Sequence, residues 1–170
     1  MDKFVLDSGV LVRGLAYLCG LIDDYTECAE VIENILTKCD RIVISQKILK
    51  ECYTKRIIAG FYGTTFIDIF NSIEVEKRKE YNKKWLIVIG KSLIKKVEND
   101  ADFNKSFNSI KDKDTKDKKL FTCALATNSD TIISRDSRWI SNSPLTLKLK
   151  KNKIRIHIVS EKDFLEVYSS

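Results

Sequence analysis

The run Phe4-Val5-Leu6-Asp7-Ser8-Gly9-Val10-Leu11-Val12 decides the fold. Its first three residues are apolar with no polar alternation, which reads as a short strand covered on both faces, as in a parallel sheet. Asp7 and Ser8 close that strand. The apolar spacing from residue 10 to residue 19 then opens a helix.

Outward from this start the pattern repeats. Ile42-Val43-Ile44 and Thr131-Ile132-Ile133 are further short runs of apolar or β-branched residues, read as covered strands. Residues 154–158, Ile-Arg-Ile-His-Ile, alternate instead, which suits a strand nearer an edge with one wet face. Helical stretches are expected over 10–19, 25–36, 45–58 with Ser45 as N-cap, 115–127 and 161–167. The Lys-rich region 64–98 is helical in composition, and residues 99–118, rich in Asp, Asn, Ser and Lys, read as an exposed loop. Strands alternating with helices predict an α/β fold in three layers. A mainly parallel central sheet is flanked by helices, with extra helices between the second and third recognised strands. One Pro and six Gly leave no linker composition, so residues 1–170 are expected to form a single domain with a helical insertion at about 64–113.

Composition excludes several classes. The five cysteines form no C-x-x-C pair, their count is odd and His157 is the sole histidine, so neither a zinc site of usual spacing nor a complete disulfide framework is expected. Each cysteine reads as a small buried apolar residue in a reducing compartment. The apolar stretch 4–22 is interrupted by Asp7 and Arg13, and no basic lead-in or cleavage-like site accompanies it. The expectation is a cytoplasmic protein with no membrane partner. The formal net charge of +6 is compatible with a polyanionic partner without requiring one. Glycine-rich phosphate loops of either common pattern are missing, and Asp7 is not followed two residues on by a second Asp.

The acids stand out by position. Asp7 follows the first strand, Asp136 follows the third after Ser134 and Arg135, and Glu51 lies in the second turn of the helix after Ile44. Carboxyl ends of parallel strands form the crevice where ligands bind. Asp117 shares a helical face with Leu120, Phe121 and Ala124, which must meet the sheet. Asp114 is its rival but lies off that stripe. Taken singly, Asp7 and Asp136 read equally as helix N-caps, Glu51 as a solvated helix residue and Asp117 as a first-turn acid favoured by the helix dipole. Convergence of four carboxylates would call for a hard divalent cation.

In these residues the chain resembles the PIN domain family. The likeness rests on Asp7 to Val12, on Glu51, on residues 117–126 (DKKLFTCALA), on residues 131–136 and on the closing segment 154–168. It covers the two ends of the chain well and the middle poorly. Gly9 departs from the family's usual Asn or Ser, and the region 64–113 is longer than in small toxin members. The resemblance implies a metal-dependent endoribonuclease in which Asp7, Glu51, Asp117 and Asp136 are catalytic and hold Mg²⁺ or Mn²⁺. Ser8 and Ser134 would support the first and last acids. It implies hydrolysis of single-stranded RNA, with DNA left open, and partners that include RNA, an antitoxin protein and a second copy of the chain. A catalytically silent PIN-like module that binds RNA or protein is the alternative.

Arg135 is the nearest basic residue to the acids and the first candidate for a phosphate contact. Lys148, Lys150, Lys151, Lys153 and Arg155 form a run without an intervening acid, and Lys91, Lys95 and Lys96 cluster on a predicted helix. Either group reads as a backbone-tracking surface or as a solvated face. His157 reads as structural. Trp139 reads as a core residue or as a platform for a base.

Overall fold

The computed structural model describes residues 1–54, 85–107 and 115–168, and leaves undescribed the side chains of residues 106, 107 and 115–117. Five strands form one sheet: β1 (Lys3–Leu6), β2 (Arg41–Ser45), β3 (Leu86–Ile89), β4 (Thr131–Ile133) and β5 (His157–Val159). Among the described residues there are nine helices: α1 (Ser8–Leu18), α2 (Thr26–Thr37), α3 (Gln46–Thr54), α4 (Lys91–Glu98), α5 (Ala101–Phe107), α6 (Thr115–Thr127), α7 (Ser137–Ser141), α8 (Pro144–Lys151) and α9 (Glu161–Tyr168). The architecture is three-layer α/β, as expected from the sequence.

Every pairing is parallel, and the strand order is β3-β2-β1-β4-β5. The chain therefore moves one way across the sheet from β1 through β2 to β3, then jumps back to lay β4 on the other side of β1. Right-handed crossovers place the helices of these two excursions on opposite faces. α1 and α2 pack together, and α2 also meets β2 and α9. On the other face α6 runs against β2, β1 and β4. The core between the layers holds Val5, Leu6, Ile42, Val43, Ile44, Ile132 and Ile133 from the strands, and Leu11, Leu15, Ile32, Ile35, Phe121 and Ala124 from the helices, all buried.

Local chemistry explains the helix ends. α1, α2, α6 and α8 each stop at a residue with left-handed backbone: Gly20, Cys39, Asn128 and Lys153. The amide one residue further on reaches back five positions in every case, as in Leu21 to Ala16 and Ile154 to Leu149. These wraps satisfy carbonyls that the helix leaves open. Ser45 caps α3 as expected, its Oγ accepting the Ile48 amide at 3.3 Å. The α9 end is fixed by aromatics: Phe4 meets Phe164 and Tyr168 edge-on, with ring centroids 5.3 and 5.1 Å away. The Tyr168 hydroxyl donates to the Asp40 carboxylate.

Several sequence expectations change. Residues 86–89 are strand β3, where helix was expected over 64–98. The run Leu-Ile-Val-Ile is too short for a helix, is rich in β-branched residues and is closed by Gly90, and it extends the sheet beyond β2. The expected insertion is thus not purely helical, and residues 55–84 and 108–114 of that region lie outside the described residues. Helices α5 and α6 replace much of the loop expected over 99–118. Asp100 starts α5 by accepting the Asp102 and Phe103 amides at 3.0 Å. α7 and α8 were not expected, although Ser143 and Pro144 carry an N-cap and first-turn signal. β5 sits at 157–159, near the C-terminal end of the expected 154–158.

Cys28, Cys52 and Cys123 are buried as expected, whereas Cys19 and Cys39 are exposed at helix ends. Burial pushes the Cys123 thiol from 9.0 up to about 12. Burial, with Glu161 beside it, does the same to Cys28. An unfolded chain releases these protons near 9.0, so above that pH the unfolded state binds fewer protons than the native one and stability falls as pH rises. The slope expected from Cys123 approaches ~1.4 kcal/mol per pH unit. Urea midpoints measured from neutral pH upward check this: the wild type should decline above about pH 9, and Cys123→Ala should decline less steeply.

Candidate active site

The strand order reverses at β1, between its neighbours β2 and β4. In an open parallel sheet the loops leaving the carboxyl ends at such a reversal diverge to opposite faces and leave a crevice between them. Asp7 leaves β1 there, and Ser134, Arg135 and Asp136 leave β4. Two backbone bonds carry the ladder past the strand ends: the Asp7 amide donates to the Ile133 carbonyl and the Ser134 amide to the Val159 carbonyl, both at 3.0 Å.

One buried hydroxyl joins the two acids. Ser134 Oγ accepts the Asp136 amide at 3.1 Å and donates to Asp7 Oδ2 at 2.9 Å. Accepting the amide turns the hydroxyl proton toward Asp7, so the carboxylate is aimed from outside its own loop. Ser8, also buried, donates a longer bond to Asp7 Oδ1 at 3.4 Å. A carboxylate has about four acceptor sites, so Asp7 keeps acceptor capacity beyond these two bonds.

Asp7 and Asp136 occupy the N-cap positions of α1 and α7, the structural reading open from sequence. Neither makes a side-chain cap bond. A carboxylate at that position ordinarily accepts a second- or third-residue amide, worth ~1 kcal/mol. Both acids forgo it. They sit where the helix N-terminus favours negative charge, and the Asp7 oxygens meet Ser134 and Ser8 instead.

Glu51 stands on α3 and is ion-paired with Lys119 of α6. Their side chains are 39% and 15% exposed respectively, so the ammonium is the more enclosed partner. Asp117 lies in the first turn of α6, on the residues leading to Leu120, Phe121 and Ala124, which are buried as its helical phase predicts. Its side chain, and all of Asp114, lie outside the described residues. Among the described residues, no three acidic, imidazole or thiol side chains stand together closely enough to hold a metal ion. The Asp7 carboxylate and the Ser134 hydroxyl, which do meet, are hard oxygen groups of the kind Mg²⁺ and Mn²⁺ take, and Asp136 follows two residues on.

A second cluster borders the acids. Tyr25, in left-handed backbone with φ 70° just before α2, lies between two guanidinium groups: Arg13 at 4.8 Å and Arg135 at 4.6 Å from its ring centroid. Left-handed backbone costs a non-glycine residue on the order of 1–2 kcal/mol, and the two cation–ring contacts offset part of it. Arg135 also faces the buried Glu161 at 3.8 Å, and Glu161 accepts the Cys28 thiol at 3.3 Å. Arg135 is therefore held in place, with 43% of its side chain exposed beside Asp136. Sequence reading missed Lys119, Glu161, Arg13 and Tyr25. Glu161 had a signal, since it stands two residues beyond β5 as Asp136 stands near the end of β4. Lys119 had none, because a lysine on a lysine-rich helix start reads as solvated.

Lys148, Lys150 and Lys151 fall in the last turn of α8, where cations favour the helix end. Lys150 lines a cleft of about 540 Å³ with Ser141, Arg155, Ile156, His157 and Ile158. No helix among the described residues is long and apolar enough to cross a membrane. Comparison of the sequence with protein-family models and with curated proteins finds a match to neither.

Proposed function

We propose that this chain is a metal-dependent endoribonuclease of PIN type, cutting single-stranded RNA at the crevice between β1 and β4. The reading is carried by one observation: two acids at the sheet's reversal point, the Asp7 carboxylate and the Asp136 amide sharing the Ser134 hydroxyl, decline the capping bonds that would explain them structurally. Asp7 and Asp136 would hold Mg²⁺ or Mn²⁺, completed by Glu51 and Asp117, and the ion would polarise the scissile phosphate and acidify a bound water. Ser134 orients the Asp7 carboxylate, and Ser8 restrains its other oxygen. Arg135, steadied by Tyr25 and Glu161, offers a cation for a phosphate oxygen. A cytoplasmic setting, an antitoxin partner and a homodimer belong to the same reading.

The Lys119–Glu51 ion pair favours a second reading. With that ammonium in place Glu51 is already neutralised, as it would be in a silent module that binds RNA or protein without cutting. The two readings part in one experiment. End-labelled single-stranded RNA is incubated with the protein in Mn²⁺, in Mg²⁺ and in EDTA, while Mn²⁺ binding is followed by calorimetry. Cleavage that needs the metal supports the nuclease; binding of RNA with no Mn²⁺ uptake supports the silent module. Asp117→Asn and Asp114→Asn, assayed together, decide between the rival acids. If Lys119 competes with the cation for Glu51, Lys119→Ala should take up Mn²⁺ several-fold more tightly, and unchanged affinity would exclude that competition.

A further inference from the structure

We infer that α7, α8 and β5 form a platform that binds single-stranded nucleic acid beside the scissile position, with Trp139 stacking on a base. This rests on the nuclease reading for its purpose, but its observations are separate. Trp139 is 76% exposed, which removes the core role that the sequence left open. An indole so exposed forfeits burial worth more than that of almost any other side chain, and its surroundings indicate what covers it.

The segment that carries it is basic. Residues 137–160 contain six Lys and Arg and no Asp or Glu, which equals the whole +6 excess of the chain. The rest of the protein is electrically balanced. Of the six, Arg138, Lys150, Lys151, Lys153 and Arg155 are exposed. A protein occupant would be expected to cover a surface depleted of charge, whereas a polyanion needs cations and a sequence-tolerant aromatic face.

Position supplies the remaining argument. α7 has Asp136 at its N-cap and Ser141 at its end, about 8 Å apart for five residues at 1.5 Å each. Ser141 opens onto the cleft it shares with Lys150, Arg155 and His157. Trp139 stands on this short helix, one turn beyond Asp136 and on the same face of it. A strand whose phosphate lies at Asp136 can thus lay a neighbouring base on the indole, with the exposed cations of α8 and β5 near its backbone.

The protein offers a clean readout, because its other tryptophan, Trp85, is 1% exposed. In EDTA, which prevents metal-dependent cutting, a single-stranded RNA of roughly ten nucleotides, within the usual site sizes, is titrated against intrinsic fluorescence. Saturable quenching is expected and is absent from Trp139→Phe, which has lost the indole; the affinities of the variants are read from the fluorescence anisotropy of the end-labelled RNA. Trp139→Ala should bind roughly 5- to 100-fold more weakly and melt with the wild type. Lys150→Glu should weaken binding and flatten its salt dependence. Equal affinity for DNA of the same length assigns the contact to bases and phosphates, and tighter RNA binding adds the 2′-hydroxyl. Preference for duplex, unchanged affinity in Trp139→Ala, or quenching only on self-association would each overturn the platform. Binding without cleavage in Mn²⁺ would leave the platform standing and remove the nuclease; cleavage with an unaffected Trp139→Ala would do the reverse.

Discussion

Replacing Asp7 by Asn is expected to slow metal-dependent RNA cleavage by at least ~10³-fold, in the range seen when one member of a catalytic set is removed. Asn keeps the shape of the side chain and an oxygen for the Ser134 hydroxyl, so the loop geometry survives. What disappears is the negative charge to which the Ser8 and Ser134 hydroxyls both donate. The fold should hold, because the Asp7 side chain makes no cap bond for α1. Thermal melting of Asp7→Asn is therefore expected to match the wild type, whereas a genuine capping acid would cost ~1 kcal/mol on removal. Single-turnover rates on labelled RNA, read beside melting curves, separate the two roles. Activity within tenfold of wild type would sink the assignment of Asp7. Ser134→Ala probes the same geometry from one atom further away: it loses both the aim of the carboxylate and the acceptor for the Asp136 amide. A loss of about 10- to 100-fold is expected, typical of a residue that orients a ligand rather than being one.

The largest stability effect is expected at Gly14. A Cβ there would stand 2.6 Å from the Cys28 carbonyl oxygen and 2.6 Å from the Ile32 Cδ1, with the Cys28 carbonyl carbon at 2.9 Å. Ile32 can rotate, but the Cys28 carbonyl belongs to the backbone of α2 and can move only if the helix does. Alanine would normally gain ~1 kcal/mol over glycine inside a helix. Here that gain is outweighed by forcing apart α1 and α2, which meet over a closely packed face. Gly14→Ala should lose ~1–3 kcal/mol in urea unfolding, and Gly14→Val more. A stabilised Gly14→Ala would mean that α2 shifts freely. Displacement of α2 also moves Tyr25 and hence Arg135, so weakened RNA cleavage should accompany the loss.

Covered strands were readable because β1, β2 and β4 are short apolar runs flanked by polar residues, and burial on both faces leaves no other use for them. β3 carries the same mark in Leu86 to Ile89 but was hidden by lysines on both sides, which suggest a helix when composition is weighed over a long window. α7 and α8 were hidden differently. Trp139 and Leu147 are exposed, so neither helix shows a clean apolar stripe. In the crevice, the positions of Asp7, Ser134 and Asp136 follow from where strands end, which a sequence does reveal. The Glu51–Lys119 pair and the stacking of Arg13, Tyr25 and Arg135 do not, because they depend on which helices lie side by side.

The sheet order has a consequence for the life of the nascent chain. β1 is made first, yet its partner across the crevice is β4, with Phe4 opposite Thr131 and Leu6 opposite Ile133. The Ser134 bond to Asp7 closes a loop of 127 residues, and such distant pairings form late. Domains on the ribosome fold as their segments emerge. β1 and β2 can pair early, but any chemistry that needs Asp7 and Asp136 together must wait until β4 has left the exit tunnel. On the proposed nuclease reading, a chain being translated is thus harmless to its own message until well after Asp136 of its 170 residues has been added, a delay written into the strand order and requiring no inhibitor.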